Sequence, residues 1–507
     1  MNLIKELSFY FTKLWKVYKL KKDNSTIMFK SLEVLNRIPL TFDSSQTPKV
    51  SIIIPFYNEE IYTWNCLLFL NKYLTSDIPF EILLVDDNSP ENNDFSLIKG
   101  ITIHRNDENL GFLKNINKGI QLAKGEYIYI LNNDTEVQKN FLKELFFVFE
   151  NFKNVGAVGS KLINPDRSLQ EAGSLFMKDF DIQQIFRRKK TYYPDVNYIV
   201  KVDYCSGCSL LFKKFDDNGT LNLFDEQFVP AYFEETDFCF NLKYIQKKEI
   251  YYTPFSEVVH YNGITYNSKK KTTLIISEKK AILFKTNSEK FKIKWVKQLQ
   301  GIKATNIEER IQEKYNNKSI VFFNNRLLDL EKDSEHNRLK EIIIAFLKLN
   351  YHVTLICKNV YKDNEYTSFY QKLGVNVFYE YNFFGSFQKY LSKQKNNASI
   401  VWLYGPQEFI SFYKVAKKQF PMTKFIYHTV AIQHLKHKKY IESKPNKISS
   451  KIKYCIFKKN EFKYSELADY VIVTTNFEEQ YLKSLYPEKK IINLSNIHFE
   501  NLEKILI

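Results

Sequence analysis

Gly125-Glu-Tyr-Ile-Tyr-Ile-Leu-Asn-Asn-Asp134-Thr-Glu136 decides how the chain is read. Tyr127 to Leu131 is an unbroken apolar run of aromatic and branched side chains, the make-up of a strand buried on both faces. It stops at Asn132-Asn133-Asp134, three short polar residues. In open α/β sheets the carboxyl ends of the strands open onto the ligand crevice. A carboxylate flanked by amides at that edge suits a hard divalent cation that also holds a diphosphate. The same residues would also turn the chain and cap a helix from Lys139. Taken alone, the stretch leaves both readings open.

Upstream the pattern repeats. Val50 to Ile54 reads as a strand, stopped by Pro55-Phe-Tyr57-Asn58-Glu59-Glu60, with a helix over Ile61 to Leu74. Phe80 to Val85 is a second strand, ending in Asp86-Asp87-Asn88-Ser89-Pro90, and Ile101 to His104 a short third one. Asn109-Leu-Gly111-Phe then leads into a helix from Leu113 to Ala123. Three strands thus end in polar, acidic loops along one edge of a parallel sheet.

This ordered series resembles the family 2 glycosyltransferases, which have the GT-A fold. The matching stretches are Val50-Ser-Ile-Ile-Ile-Pro-Phe-Tyr-Asn58-Glu, Leu84-Val-Asp-Asp-Asn-Ser89, Asn109-Leu-Gly-Phe112, Asn117-Lys-Gly119, Ala123-Lys-Gly-Glu-Tyr127 and Leu131-Asn-Asn-Asp-Thr135. Phe224-Asp-Glu226, Tyr232-Phe-Glu-Glu-Thr-Asp237 and Val258-Val-His260 follow downstream.

The resemblance implies an inverting transfer of a sugar from a nucleotide-diphosphate donor to a glycan or lipid-linked acceptor in surface polysaccharide synthesis. It implies that Asp87, with Asp86 beside it, accepts a hydrogen bond from the base. Pro55, Tyr57, Asn58, Glu59, Asn109, Gly111, Asn117, Asn132 and Asn133 complete the nucleotide-sugar site. Asp134 and His260 would hold Mg2+ or Mn2+. The usual Asp-x-Asp stands here as Asn132-Asn133-Asp134, without its first acid. Glu235 is implied as the base that deprotonates the acceptor, with Glu234 beside it. Asp237 would orient that base or cap the helix. An Arg usual four residues beyond is Asn241, so phosphate compensation is expected from elsewhere; Arg187-Arg-Lys-Lys190 and Lys269-Lys-Lys271 are candidates, though each reads first as a solvated charge run. Asp166, Gln170-Glu-Ala-Gly173 and Cys205-Ser-Gly-Cys208 fall where similar enzymes build the acceptor and sugar pocket.

The rest of the chain narrows the alternatives. Its 507 residues are 44% hydrophobic with a net charge of +17, a globular composition with an anionic partner in prospect. The positive charge is spread as Lys beside many Asn and Ile, and no nucleic-acid recognition motif accompanies it. No G-x-G-x-x-G follows the first strand, which removes a dinucleotide-dependent dehydrogenase. Cys205 and Cys208 form the sole C-x-x-C, with no second pair to complete a zinc set. Residues 2–22 space Leu3, Ile4, Leu7, Phe11, Leu14, Trp15 and Tyr18 helically among lysines, a basic amphipathic helix suited to an anionic membrane face or to docking on its own domain. No apolar run approaches the roughly 20 residues of a membrane span. The expected location is therefore cytoplasmic, or peripheral on the inner face of the cell membrane.

From Ser319 a second α/β series begins, with strands expected at Ile320 to Phe323, His352 to Cys357, Ile400 to Leu403, Phe425 to His428 and Tyr470 to Thr474. It is similar to the N-terminal domain of GT-B glycosyltransferases through Asp333-Ser334, Arg338, Asn350-Tyr-His-Val-Thr354, Ala468-Asp-Tyr-Val-Ile-Val-Thr474 and Ile492-Asn-Leu-Ser-Asn496-Ile. Ile507 falls where such an enzyme would start its second Rossmann-like domain, so either an acceptor-binding or assembly role or a fragment of a longer two-enzyme polypeptide is expected. The fold class expected is α/β: a basic extension over 1–45, a GT-A domain over 46–268, a helical connector over 269–315 and a Rossmann-like domain over 316–507. The rival reading is a non-catalytic GT-A-like scaffold of a glycan assembly complex.

Overall fold

The computed structural model describes residues 37–495 apart from 76, 92, 188–189, 262–272, 326, 328–333, 358–364, 380–397 and 444–447. The expected basic helix over 2–22 and the Lys269-Lys-Lys271 run lie outside the described residues, as do Arg188, Lys189, Asp333 and Asn496. Two compact units divide at Arg310 and Ile311.

The first unit is built on β1 (Val50–Phe56), α1 (Glu60–Tyr73), β2 (Phe80–Asp86), β3 (Thr102–Arg105), α2 (Phe112–Leu122), β4 (Tyr127–Leu131), β5 (Thr135–Val137) and α3 (Phe141–Asn151). It continues through β6 (Val155–Ile163), β7 (Leu169–Glu171), β8 (Val200–Val202), β9 (Ser209–Lys213), α4 (Glu234–Phe240), β10 (Glu249–His260), α5 (Thr273–Lys294) and α6 (Val296–Gln300). The main sheet runs β8-β10-β6-β9-β4-β1-β2-β3, with β5 on β10 and β7 on β6. β4, β1, β2 and β3 are mutually parallel, whereas β9 runs antiparallel between β4 and β6. The α/β reading holds, as a mixed and mostly parallel sheet.

β1 is buried along its whole length and β4 almost so, as their apolar runs, interrupted in β1 by Ser51, require. Ile52, Ile54, Leu84, Tyr129 and Leu131 form one core with Leu67 and Leu70 of α1 and Leu145 of α3. Each such side chain contributes about 1.5–3 kcal/mol on burial. On the other face α2 lies so close to the sheet that a Cβ at Gly119 would come within 2.6 Å of Ile53 Cγ2.

The second unit has β11 (Ser319–Asn324), α7 (Ser334–Lys348), β12 (His352–Cys357), β13 (Asn376–Phe378), β14 (Ile400–Tyr404), α8 (Pro406–Gln419), β15 (Lys424–His428), α9 (Ile448–Leu467), β16 (Tyr470–Val473), α10 (Asn476–Leu485) and β17 (Lys490–Asn493). The order is β13-β12-β11-β14-β15-β16-β17 and every pair is parallel. This doubly wound order reverses between β11 and β14. The outer strands β13 and β17 are new relative to the sequence reading: three and four residues are too few to show a period.

Candidate active site

Asp134 and His260 meet at the carboxyl edge of the first sheet. β5 pairs antiparallel with the end of β10, setting Thr135 opposite His260, and the Tyr261 amide donates to the Asp134 carbonyl at 3.0 Å. His260 Nε2 is therefore 3.2 Å from Asp134 Oδ1, and both side chains are about nine-tenths buried. Adjacent ligands of an octahedral ion, each at about 2.1 Å, are separated by about 3.0 Å, so the pair fits a small divalent cation. Gln170 Nε2 lies 2.9 Å from His260 Nδ1, while Gln170 Oε1 is buried without a partner. Turning that amide over lets Oε1 accept the Nδ1 proton, which leaves the Nε2 lone pair free to ligate. Asn132 Oδ1 is a further buried oxygen without a partner. Asn133 instead holds the loop, donating to Thr63 Oγ1 at 3.0 Å. Among the described residues no cluster of three His, Cys, Asp or Glu forms a closed metal cage. Mg2+ characteristically takes few protein ligands and leaves positions for phosphate oxygens.

The second acidic loop follows β2. Asp87 Oδ1 accepts from the Leu110 amide at 2.8 Å and Asn106 Nδ2 at 3.1 Å, and its Oδ2 accepts from the Gly111 amide at 2.9 Å. Asn109 Nδ2 donates to the Asp87 carbonyl. The buried carboxylate thus fastens the Asn109–Gly111 loop, with lone pairs left over. Gly111, at φ 79°, allows that loop to approach Pro230, whose Cβ would be 2.9 Å from an added Cβ. Asp86 accepts from Ser89 and is paired with Arg105. Pro55 is buried within β1 and Tyr57 is part-exposed after it. Asn58 and Glu59 both take left-handed backbone (φ 54° and 56°), with the Asn58 amide donating to Ser89 Oγ. Burial, then Glu91 and Asp134, pushes the Glu59 carboxyl up. Asn117 is spent elsewhere: its amide oxygen and nitrogen both bind the Phe224 backbone.

The acidic motif opens α4 after two left-handed residues, Tyr232 (φ 74°) and Phe233 (φ 71°). Such backbone outside glycine is strained and persists where its surroundings enforce it. Here the enforcer is Asn287 of α5, whose Nδ2 donates to the carbonyls of Phe228 (2.8 Å), Ala231 (2.8 Å) and Tyr232 (3.2 Å). Asp237 is also taken up by that region: Trp295 Nε1 donates to Oδ1 at 2.7 Å, and Lys294 donates at 2.8 Å. Of the two roles expected for Asp237, this geometry supplies neither a contact with Glu235 nor a helix cap; it fastens α4 to Lys294 and Trp295. Asn241 begins a single π-helical turn after α4.

Glu235 is half-buried beside Ser206–Cys208, its Cβ 3.6 Å from where a Gly207 Cβ would lie, and its Oε2 is buried without a partner. Across that segment Glu171 Oε1 accepts from the Ser206 amide at 2.9 Å and Oε2 from Gln184 at 3.3 Å. Burial pushes the Glu235 carboxyl up, and burial plus the charge of Glu235 pushes Glu234 well above its ordinary value. Glu171 is raised to about 7, chiefly by burial, with Glu235 adding to the shift and the Ser206 bond and Arg187 opposing it. The Asn132 amide donates to the Cys208 carbonyl at 2.9 Å, joining this segment to the Asp134 loop. Cys205 and Cys208 are buried free thiols, and burial drives the Cys208 thiol up.

The sequence reading gave Gln170 and Glu171 a place in a pocket without roles, and it missed Asn287 and Trp295. The available signal was a Gln-Glu pair inside an otherwise apolar hairpin strand, and an Asn in the middle of a helix.

Residues 51–219 match the family model described as glycosyl transferase family 2. "Glycosyltransferase GlyG" of Streptococcus pneumoniae is 31% identical over 103 residues, 19% of this chain and 34% of that protein. "O-antigen biosynthesis protein RfbC" of Myxococcus xanthus is 35% identical over 136 residues, 25% of this chain and 10% of that protein. The chain therefore spans about a third or less of the length of these relatives. Among solved structures, that of GalNAc-T7 with UDP, GalNAc and Mn2+ superposes with a TM-score of 0.34 at 16% identity, over 43% of this chain and 44% of that one. Among the described residues no helix is long and apolar enough to cross a membrane.

Proposed function

We propose that this chain, which belongs to glycosyl transferase family 2 through residues 51–219, moves a sugar from a nucleotide-diphosphate donor to a hydroxyl of a glycan or lipid-linked acceptor, with inversion, in surface polysaccharide synthesis. The observation that carries the reading is the pairing of Asp134 with His260 at 3.2 Å on the same sheet edge as Glu235, whose Oε2 is buried without a partner. Asp134 and His260 would hold Mg2+ or Mn2+, with the unpartnered amide oxygen of Asn132, two residues before Asp134, as a further candidate ligand. When bound, that ion supplies Lewis-acid charge compensation to the departing diphosphate.

The chain's own part is positioning and proton transfer. Asp87 and the loop it fastens receive the nucleotide. Arg187, whose charge is felt at Glu171, is the cation we assign to phosphate compensation, in place of the Arg replaced by Asn241. As the acceptor oxygen bonds to the anomeric carbon and the carbon–phosphate-oxygen bond breaks, Glu235 takes the hydroxyl proton. Its raised pKa brings it toward the working pH, where a general base is most effective. A single displacement by one base gives inversion. The scaffold alternative offers no reason to bury a carboxylate without a partner, which is costly.

Peripheral attachment to the inner face of the membrane rests on the basic amphipathic spacing of residues 2–22. Deleting them should release the protein from anionic vesicles; unchanged partitioning would remove that attachment.

A panel of nucleotide sugars assayed with Mn2+ tests the transfer itself. One donor should be hydrolysed or transferred by the parent protein and by neither Asp134→Ala nor the metal-free enzyme. Equal turnover in all three would overturn the reading.

A further inference from the structure

Three neighbouring strands of the second unit end in polar residues on one face. Ile320, Phe322, Trp402 and Ile426 pack with Leu339 and Ile342 of α7, and strand alternation carries that face on to Asn324, Tyr404 and His428. Register sets these side by side, since Phe323 pairs with Leu403 and Tyr404 with His428. The row lies at the carboxyl edge, beside the reversal in strand order between β11 and β14. In open α/β sheets that is where ligands settle.

Several polar atoms at this end of the sheet have no partner within the protein. Both ring nitrogens of His428, which is 0% exposed, lack a hydrogen-bond partner. So do Asn324 Nδ2 and Thr429 Oγ1, on residues 5% and 2% exposed. Arg338, in the second turn of α7, donates from its terminal nitrogens to the Leu494 and Ser495 carbonyls while its Nε has no partner. The His428 ring is held 4.7 Å from Tyr404 and 5.7 Å from Trp402, centroid to centroid. Val430, two residues on, takes φ 60°, a costly conformation for a β-branched side chain. Nearby carboxylates are already engaged, Glu408 by Asn325 and Glu478 by Ile432 and Thr474.

These unpartnered groups are mostly donors: the Asn324 amide, the Arg338 Nε and, whichever nitrogen holds the proton, one side of His428. Thr429 can donate or accept. A buried water typically makes about three hydrogen bonds, too few for this set, and brings no charge to face Arg338. We propose that Asn324, Arg338, His428 and Thr429 form a binding site for the phosphate or diphosphate group of a small molecule. Burial, with Arg338 beside it, holds the imidazole down at about 3, so the neutral ring can donate to one oxygen and accept from a hydroxyl. The site stands apart from the transferase reading and does not rest on it.

Isothermal titration of the full chain decides the matter. It should carry Asp134→Ala and be kept in EDTA, so that metal-assisted binding at the first unit does not contribute. Inorganic phosphate, inorganic pyrophosphate and uridine diphosphate are the probes; the first two against the third separate a free anion from a nucleotide. Saturable one-site binding of at least one probe is expected, weakened tenfold or more by Thr429→Val and by Arg338→Gln, and lost in His428→Phe. Should His428→Phe fail to fold, the other two variants carry the test. No saturable binding of any probe overturns the proposal, as does parent-like binding in the folded variants. A higher melting temperature in His428→Phe with unchanged binding would likewise overturn it, marking the row as core.

Discussion

His260 Nε2 and Asp134 Oδ1 stand 3.2 Å apart because β5 and β10 pair Thr135 with His260. The proposed cation site would therefore be a product of strand register, with loop chemistry secondary to it. Gln170 Nε2 beside His260 Nδ1 fixes the ring from behind. Partners of this kind typically contribute 10- to 100-fold in metal affinity. Gln170→Leu should weaken Mn2+ binding by about that factor, read by titration of the full chain with Mn2+ and donor nucleotide. Affinity equal to the parent's would show that Gln170 does not orient the histidine.

Glu235→Gln should leave donor binding intact and lower transfer by about 10^2- to 10^4-fold, the usual contribution of a general base. Donor affinity by titration and single-turnover transfer separate the two. Full activity would remove Glu235 as base.

The raised carboxyls make activity depend on pH with a definite sign. Glu235 must be ionised to accept a proton, and burial raises its pKa, so kcat/KM should climb with pH through its folded value and then level off. A profile falling over that limb would require another base.

Glu171 gives a stability prediction of the opposite slope. Its folded pKa is raised to about 7 from 4.5, so the native state binds the proton more tightly than the unfolded chain. Stability from this group is fully present below about pH 4.5 and is lost as pH rises through about 7, by about 3 kcal/mol in order of magnitude. Glu171→Gln should then be near neutral in urea denaturation at pH 5 and stabilising at pH 8. Equal effects at both pH values would refute the shift.

Asn287→Ala should cost about 1–3 kcal/mol by freeing buried carbonyls, and it should slow transfer while donor affinity changes little. A drop in affinity with transfer preserved would mean that the loop it holds serves the nucleotide.

Much of this was legible in the chain. Tyr127–Leu131 through an unbroken apolar run, and Val50–Ile54 through a run interrupted by Ser51, announced buried strands, and both were found as such. The polar ends of β1, β2 and β4 were readable because strand periodicity stops abruptly there. What escaped was set by contacts between residues distant in sequence, such as Gln170 with His260 and Asn287 with Phe228. Composition carries no trace of such pairings. Asn117 shows the converse: its place in a motif suggested a ligand contact, yet both ends of its amide bind the Phe224 backbone.

The clamp of Asn287, Lys294 and Trp295 on the acidic motif moves the working border of the enzyme. A recombinant fragment ending at residue 268, after β10, would keep the strands of the first sheet and lose the brace on the loop that precedes Glu235. If the proposed transfer is right, the smallest portable catalyst in this chain should extend beyond Trp295, and gene fusions or protease nicks before that residue should lower transfer.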